Sequence, residues 1–147
     1  AWEIGGCKDG TLPTFDLQQA VRTSQFVAES VQKQQLLAIH DIAEGGLAVA
    51  AAEMAIDSGF GAQIVDHGDH ISMFNESGGR FLAVVGDELL DDFLKDAKRH
   101  DVPAIQIGRT GGTSLNFGTE IIIPVSELET AYRTELPEAL GLGTVNT

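Results

Sequence analysis

The sequence predicts an α+β fold, a three-layer α/β/α domain built on a mixed β-sheet. Two kinds of apolar segment succeed one another along the chain: short runs that suit buried strands, and longer stretches with helical spacing. Their order is not the strict alternation of a doubly wound parallel sheet, because the strand at 61–65 is followed by another at 81–85 with no helix expected between them. A chain of 147 residues with 43% apolar content is long enough for one buried core and too apolar for disorder.

The elements follow in order. Residues 1–13 hold Gly5, Gly6, Gly10 and Pro13 and read as a turn-rich lead-in. The opening Ala1-Trp2-Glu3, without an initiator Met, suggests a fragment that continues a missing N-terminal half. The domain is expected over 14–135. Thr14 or Asp16 caps a first helix ending near Gln34, with Leu17, Ala20, Val21, Ser24, Val27 and Val31 on its inward face. Leu36 to Ile39 suits a buried strand, and Ala48 to Ile56 a second helix closed by Ser58-Gly59. Strands are expected at 61–65 and 81–85. Asp87 and Glu88 open a third helix that turns Leu89, Leu90, Phe93, Leu94 and Ala97 inward and collects Lys95, Lys98 and Arg99 near its end. Further strands are expected at 104–108, 114–117 and 120–123. Pro124 starts a last helix reaching about Thr134, and 136–147 is a tail.

Charge narrows the function. Nine Lys and Arg face 22 Asp and Glu, a net charge of −13, which argues against nucleic acid and anionic membranes as partners. No apolar run is long enough to span a bilayer and no signal-peptide pattern opens the chain. A single cysteine, Cys7, makes no internal disulfide. Together these predict a cytoplasmic protein.

The stretch His40-Asp41-Ile42-Ala43-Glu44-Gly45-Gly46-Leu47 reads as a strand, an acidic loop and a glycine-opened helix. Gly45 and Gly46 permit a sharp turn, and the free N–H groups of a helix start can hold a phosphate. Asp41 and Glu44 would repel a bare anion, so a divalent cation would have to stand between them. The plainer reading is a capped helix after a tight turn. A second stretch, Met73-Phe74-Asn75-Glu76-Ser77-Gly78-Gly79-Arg80-Phe81, packs an acid, a hydroxyl, two glycines and a guanidinium before a strand. Arg80 could grip a phosphate or pair with Glu76. Asp66-His67-Gly68-Asp69-His70 offers metal ligands but also fits a solvated loop, and Arg109 to Thr113 fits an anion nest or, better, a hairpin turn. No dinucleotide fingerprint, P-loop or nucleophile elbow is present.

Taken together, His40 to Met54, Phe74 to Phe81 and Ile107-Gly108 resemble the C-terminal domain of the aminoimidazole ribonucleotide synthetase superfamily, over roughly Leu12 to Leu140. Within it the likeness is to the phosphoribosylformylglycinamidine synthase branch, in its second C-terminal copy. The resemblance implies a carbon–nitrogen ligase of purine biosynthesis: ATP and Mg2+ serve as cofactors, and glutamine-derived ammonia amidates formylglycinamide ribonucleotide. It implies Asp41 as the metal ligand, His40, Ala43, Glu44, Gly45 and Gly46 as the nucleotide and phosphate site, and Glu76, Ser77, Gly78 and Arg80 as substrate contacts. Three positions depart from the family pattern. Ala43 stands where Ser is frequent, Glu44 where Asp is frequent, and Gly78 where Gln is common in the companion copy. The implied partners are the missing N-terminal half, which holds the catalytic histidine, and a glutaminase domain or subunit. The fragment alone is expected to be inactive, with no catalytic residue of its own. Two other readings use the same residues: a non-catalytic binding or regulatory module of this fold, and another member of the superfamily.

Overall fold

The structure, a computed structural model, describes residues 15–65 and 68–135, together with Glu138 and Gly141. Helix α1 (Leu17–Gln32) starts where the side chain of Asp16 accepts the backbone N–H of Gln19 at 2.9 Å. Strand β1 (Ala38–Asp41) leads to helix α2 (Gly46–Ser58), strand β2 (Ala62–Ile64) and the single-turn helix α3 (His70–Met73), which stands where no helix was expected and is capped by Asp69. Strand β3 (Phe81–Val84) precedes helix α4 (Leu90–Arg99). Strands β4 (Gly108–Thr110), β5 (Ser114–Phe117) and β6 (Ile121–Pro124) then run into helix α5 (Val125–Thr130), which ends in a π-helical turn over Ala131–Glu135.

The α+β class holds, and the strands divide into two sheets. β1 and β3 form an antiparallel ladder in which Ala38 faces Val84 and Asp41 faces Phe81. The other four strands form a mixed sheet in the order β4-β2-β5-β6, with β2 and β5 parallel and the remaining pairs antiparallel. Helix α2 serves both sheets. Its Ala51 packs with Ile64, Met73, Leu115 and Phe117 over the mixed sheet, while its Leu47 and Ala50 pack with Ile42, Leu82 and Ile107 at the ladder. Alanines on that helix let it lie close to both layers. At its end Gly59 takes the left-handed conformation (φ 71°), the helix stop that Ser58-Gly59 predicts.

Four expectations shift. The first strand lies two residues later than expected, so His40 and Asp41 end a strand and do not sit in the loop. Helix α1 buries a different face. Phe26 and Ser30 are its buried residues, with Phe26 against Phe93 at 5.2 Å between ring centroids and against Ala97 and Val102, so α4 covers that side. Ser30 is tolerated there because its hydroxyl donates to the Phe26 carbonyl at 2.8 Å. Leu17, Val21 and Val31, expected inward, are exposed, Val21 at 47%. One large aromatic with a partner outweighs a stripe of smaller side chains.

The third and fourth shifts concern residues 104–113. Residues 104–107 form no strand. Ile105 is exposed and the chain is held there by the Ile107 carbonyl, which accepts from Val65 N–H at 2.8 Å. The expected hairpin of consecutive strands is absent too, because β2 is inserted between β4 and β5. The turn at Gly111-Gly112 arches over the start of β2, where Gly61 N–H donates to the Gly112 carbonyl at 2.9 Å and Gly111 N–H to the Gly61 carbonyl at 2.8 Å. A Cβ on Gly61 would stand 2.1 Å from the Ser114 carbonyl oxygen.

That crowding separates two glycines only two residues apart. Gly61→Ala should destabilise the domain by about 2–3 kcal/mol, since backbone has to move, whereas Gly59→Ala, with open space around it, should lose only the ~1 kcal/mol of left-handed strain. Urea unfolding monitored by circular dichroism checks both. In the same assay Phe26→Ala should lose about 3 kcal/mol and Val21→Ser stay within ~0.5 kcal/mol.

Candidate functional site

The two glycine-bearing stretches meet in space. A cleft of about 500 Å³ is lined by Asp41, Ile42, Ala43 and Glu44 from the first, by Glu76, Gly78, Gly79, Arg80 and Phe81 from the second, and by Ala20 and Ser24 of α1. Strand pairing brings them together: Asp41 ends β1 opposite Phe81 at the start of β3, and the Ile42 N–H extends the ladder to the Arg80 carbonyl at 2.9 Å. A side chain then joins the loops, because Glu76 Oε1 accepts the Gly45 N–H at 2.9 Å.

Gly45 and Gly46 take the left-handed conformation, with φ of 76° and 69°. A Cβ on Gly46 would stand 2.6 Å from the Met73 carbonyl oxygen, so this glycine lets the start of α2 sit directly on the chain that leads into the second stretch. No side chain caps α2, neither that of Asp41 nor that of Glu44; Glu76, 31 residues away, instead accepts the N–H of the N-cap residue Gly45. Gly79 (φ 79°) lies against Ala20, whose Cβ would be 2.8 Å from an added one, so the second loop is seated on α1.

Arg80 neither pairs with Glu76 nor reaches out for an anion with its Nε. Its Nε donates to the Ser77 carbonyl at 3.2 Å and its Nη2 to the Asn75 carbonyl. Ser77 is similarly engaged: its N–H donates to Asn75 Oδ1 at 2.7 Å, and its hydroxyl donates to the same oxygen. The Asn75–Arg80 turn is thus stiffened from within, and Ser77 does not line the cleft.

His40 also lies off the cleft. Its Nδ1 stands 2.7 Å from the Asp41 carbonyl oxygen and its Nε2 3.3 Å from Glu53 Oε2 on α2. Of the expected site residues, then, Asp41, Ala43, Glu44, Glu76, Gly78 and Arg80 share one cleft. Gly45 and Gly46 do not line it, although Gly45 is tied to it through Glu76, and His40 and Ser77 are outside it as well. Sequence reasoning missed the wall formed by Ala20 and Ser24, which carries no motif, and missed Glu53, thirteen residues from its partner.

The donor set is oxygen throughout: Asp41, Glu44 and Glu76 bring carboxylates to the cleft, the hard donors that magnesium prefers. Among the described residues no three His, Cys, Asp or Glu side chains are grouped to hold a metal by themselves. In the other candidate loop, Asp66 and His67 lie outside the described residues. Asp69 there caps α3, and the N–H and hydroxyl of Ser72 donate to it at 2.9 and 2.8 Å, which holds its carboxyl below the usual carboxylate range. Arg109, in the candidate anion nest, contacts both carboxylate oxygens of Asp87 at 2.8 Å. No helix among the described residues is long and apolar enough to cross a membrane.

Comparison with known proteins places this geometry in a family. Residues 6–118 match the model of the AIR synthase related protein, C-terminal domain. The phosphoribosylformylglycinamidine synthase subunit PurL of Zymomonas mobilis is 32% identical over 142 residues, which cover 94% of this chain and 19% of that protein. Two solved structures of Thermotoga maritima PurL share the fold at 16% and 15% identity: one complexed with FGAR (TM-score 0.70, 84% of this chain, 23% of the other) and one complexed with ATP (TM-score 0.67, 83% and 23%). The chain spans about a fifth of the relative that it matches. With more than half of its residues matched by the family model, the chain belongs to the AIR synthase related proteins and carries their C-terminal domain.

Proposed function

We propose that this chain is the C-terminal part of a phosphoribosylformylglycinamidine synthase and forms one side of a magnesium–nucleotide cleft. The complete protein would amidate formylglycinamide ribonucleotide in the cytoplasm, with ATP and glutamine-derived ammonia. The observation that carries this is the convergence of Asp41–Glu44 and Glu76–Arg80 on one cleft, with the Gly45 N–H joined to Glu76. The likeness to PurL across nearly the whole chain, and to PurL structures complexed with FGAR and with ATP, supports it.

In this reading Asp41 offers its exposed carboxylate to magnesium, with Glu44 beside it. Bound magnesium would supply charge neutralisation between these carboxylates and the phosphates. The start of α2, whose Gly45 N–H is held by Glu76 and Gly46 N–H by the Ala43 carbonyl, adds the positive end of its dipole. Glu76 keeps that helix end at the cleft, and the Asn75–Arg80 turn presents backbone at Gly78 and Gly79 where a substrate can approach closely. In this reading the chemistry needs the N-terminal half of the protein, and the domain alone is inactive. A glutaminase domain or subunit would deliver the ammonia.

A second reading, a non-catalytic module that keeps the fold, is favoured by two features: Ala43 brings no hydroxyl to the cleft, and Arg80 spends donors on the carbonyls of its own turn.

Calorimetric titration of ADP with magnesium separates the readings, using the chain alone and joined to its N-terminal half. Binding in the joined protein that weakens at least ~10-fold in Asp41→Ala supports the shared cleft, on the scale of losing one metal ligand. Absence of binding in both forms overturns it in favour of the module. Glu76→Ala should lower stability by about 1 kcal/mol through the lost hydrogen bond to Gly45 and also weaken ADP binding, whereas Glu76→Gln, which keeps an acceptor, should retain most of both.

A further inference from the structure

Helix α1 leaves an apolar stripe in solvent. Leu17, Val21, Ser24, Ala28 and Val31 recur at steps of four, three, four and three, which places them on one face, and all five are exposed, Leu17 at 65% and Val31 at 50%. Gln18, Gln25 and Gln32, which flank them on the exposed side, are uncharged. The two charges of the helix are turned the other way. Arg22 stands 3.5 Å from Asp101, and Glu29 lies 3.9 Å from His100 at the end of α4. The chain carries nine Lys and Arg and 22 Asp and Glu, yet this face runs for about four turns without a charge. Such depletion of charge around exposed apolar side chains is the composition of an interface core.

We infer that this stripe is the surface on which the N-terminal half of the protein seats an uncharged apolar face of its own. This rests on the reading of the chain as the C-terminal part of a longer synthase. Three observations select that occupant. The stripe is continuous with the cleft: Ser24 belongs to both, and Ala20 beside it lines the cleft. At the start of the helix a Cβ on Gly78 would stand 3.4 Å from the Phe15 ring, itself 58% exposed, so the apolar surface reaches the cleft rim there as well. A part that closes the cleft from outside therefore passes over the stripe. Charge opposes a second copy, since pairing would bring together two chains of net charge −13. The chain also spans only 19% of the PurL relative that it matches, so most of such a protein lies outside it and is at hand to cover this face. A strongly charged partner would find no counter-charge along the stripe and would lose its hydration there.

Cysteine labelling tests this, in the chain alone and joined to its N-terminal half. Val21→Cys and Ala28→Cys are introduced singly in a Cys7→Ser background, with Lys98→Cys on the exposed side of α4 as the control. Maleimide modification of the two stripe positions should slow at least ~10-fold in the joined protein, as expected at the core of an interface, while that of Lys98→Cys stays unchanged. Adding Val21→Lys, which forces a charge into the contact, should restore the rate of Ala28→Cys in the joined protein to within about threefold of its rate in the chain alone. Thermal unfolding shows that each variant is folded, and Ala28→Cys, the smaller change, serves if Val21→Cys is not. Equal rates in the two forms overturn the docking surface. Slow labelling in the chain alone that speeds up on dilution assigns the stripe to a second copy and overturns it too. Magnesium–ADP binding to the same joined protein judges the cleft separately. Binding without protection of the stripe leaves the cleft in place and removes the docking surface, whereas protection without binding removes the cleft and upholds the docking surface.

Discussion

The hydrogen bond from the Gly45 amide to the Glu76 carboxylate holds this site together. It crosses 31 residues of sequence, joins the start of the central helix to the second loop, and satisfies the N–H of the N-cap residue Gly45. The bond is possible because Gly46 lets the chain before Asn75 lie directly against the helix start, where a side chain would collide with the Met73 carbonyl. The cleft follows from these constraints together with the β1–β3 ladder, which fixes Asp41 opposite Phe81.

Much of this was legible in the sequence, and the parts that were not share a cause. The helices at 17–32, 46–58 and 90–99 and the strands at 62–64, 81–84, 114–117 and 121–124 follow from local periodicity, turn glycines and caps. The buried face of α1 did not, because it depends on where Phe93 and Ala97 come to lie, and a stripe of Leu17, Val21 and Val31 says nothing about which side α4 takes. The insertion of β2 between β4 and β5 was equally hidden, since residues 108–117 read locally as a hairpin.

The candidate site shows the same division. Two motifs at distant positions named the residues that line the cleft, since glycines beside carboxylates leave a mark in any sequence. What each side chain does there was not readable. Arg80 has the chemistry to hold an anion but braces carbonyls of its own turn, and His40 has the chemistry to touch a phosphate but turns to Glu53. The ring of His40 lies against the Asp41 carbonyl and Glu53, outside the residues that line the cleft, although Asp41 beside it lines that cleft. Functional role depended on direction, which composition does not carry.

The inserted strand also bears on how the domain is made. β2 is central in the mixed sheet, but both of its partners, β4 and β5, lie more than forty residues further along the chain. As the polypeptide leaves the ribosome, Ile64 has no strand to join until Gly108 has emerged, while β1 and β3 can already pair across α2. The cleft-side ladder thus has all its strands before the larger sheet does, and that sheet is complete only once the β4–β5 turn is drawn around a strand made before it.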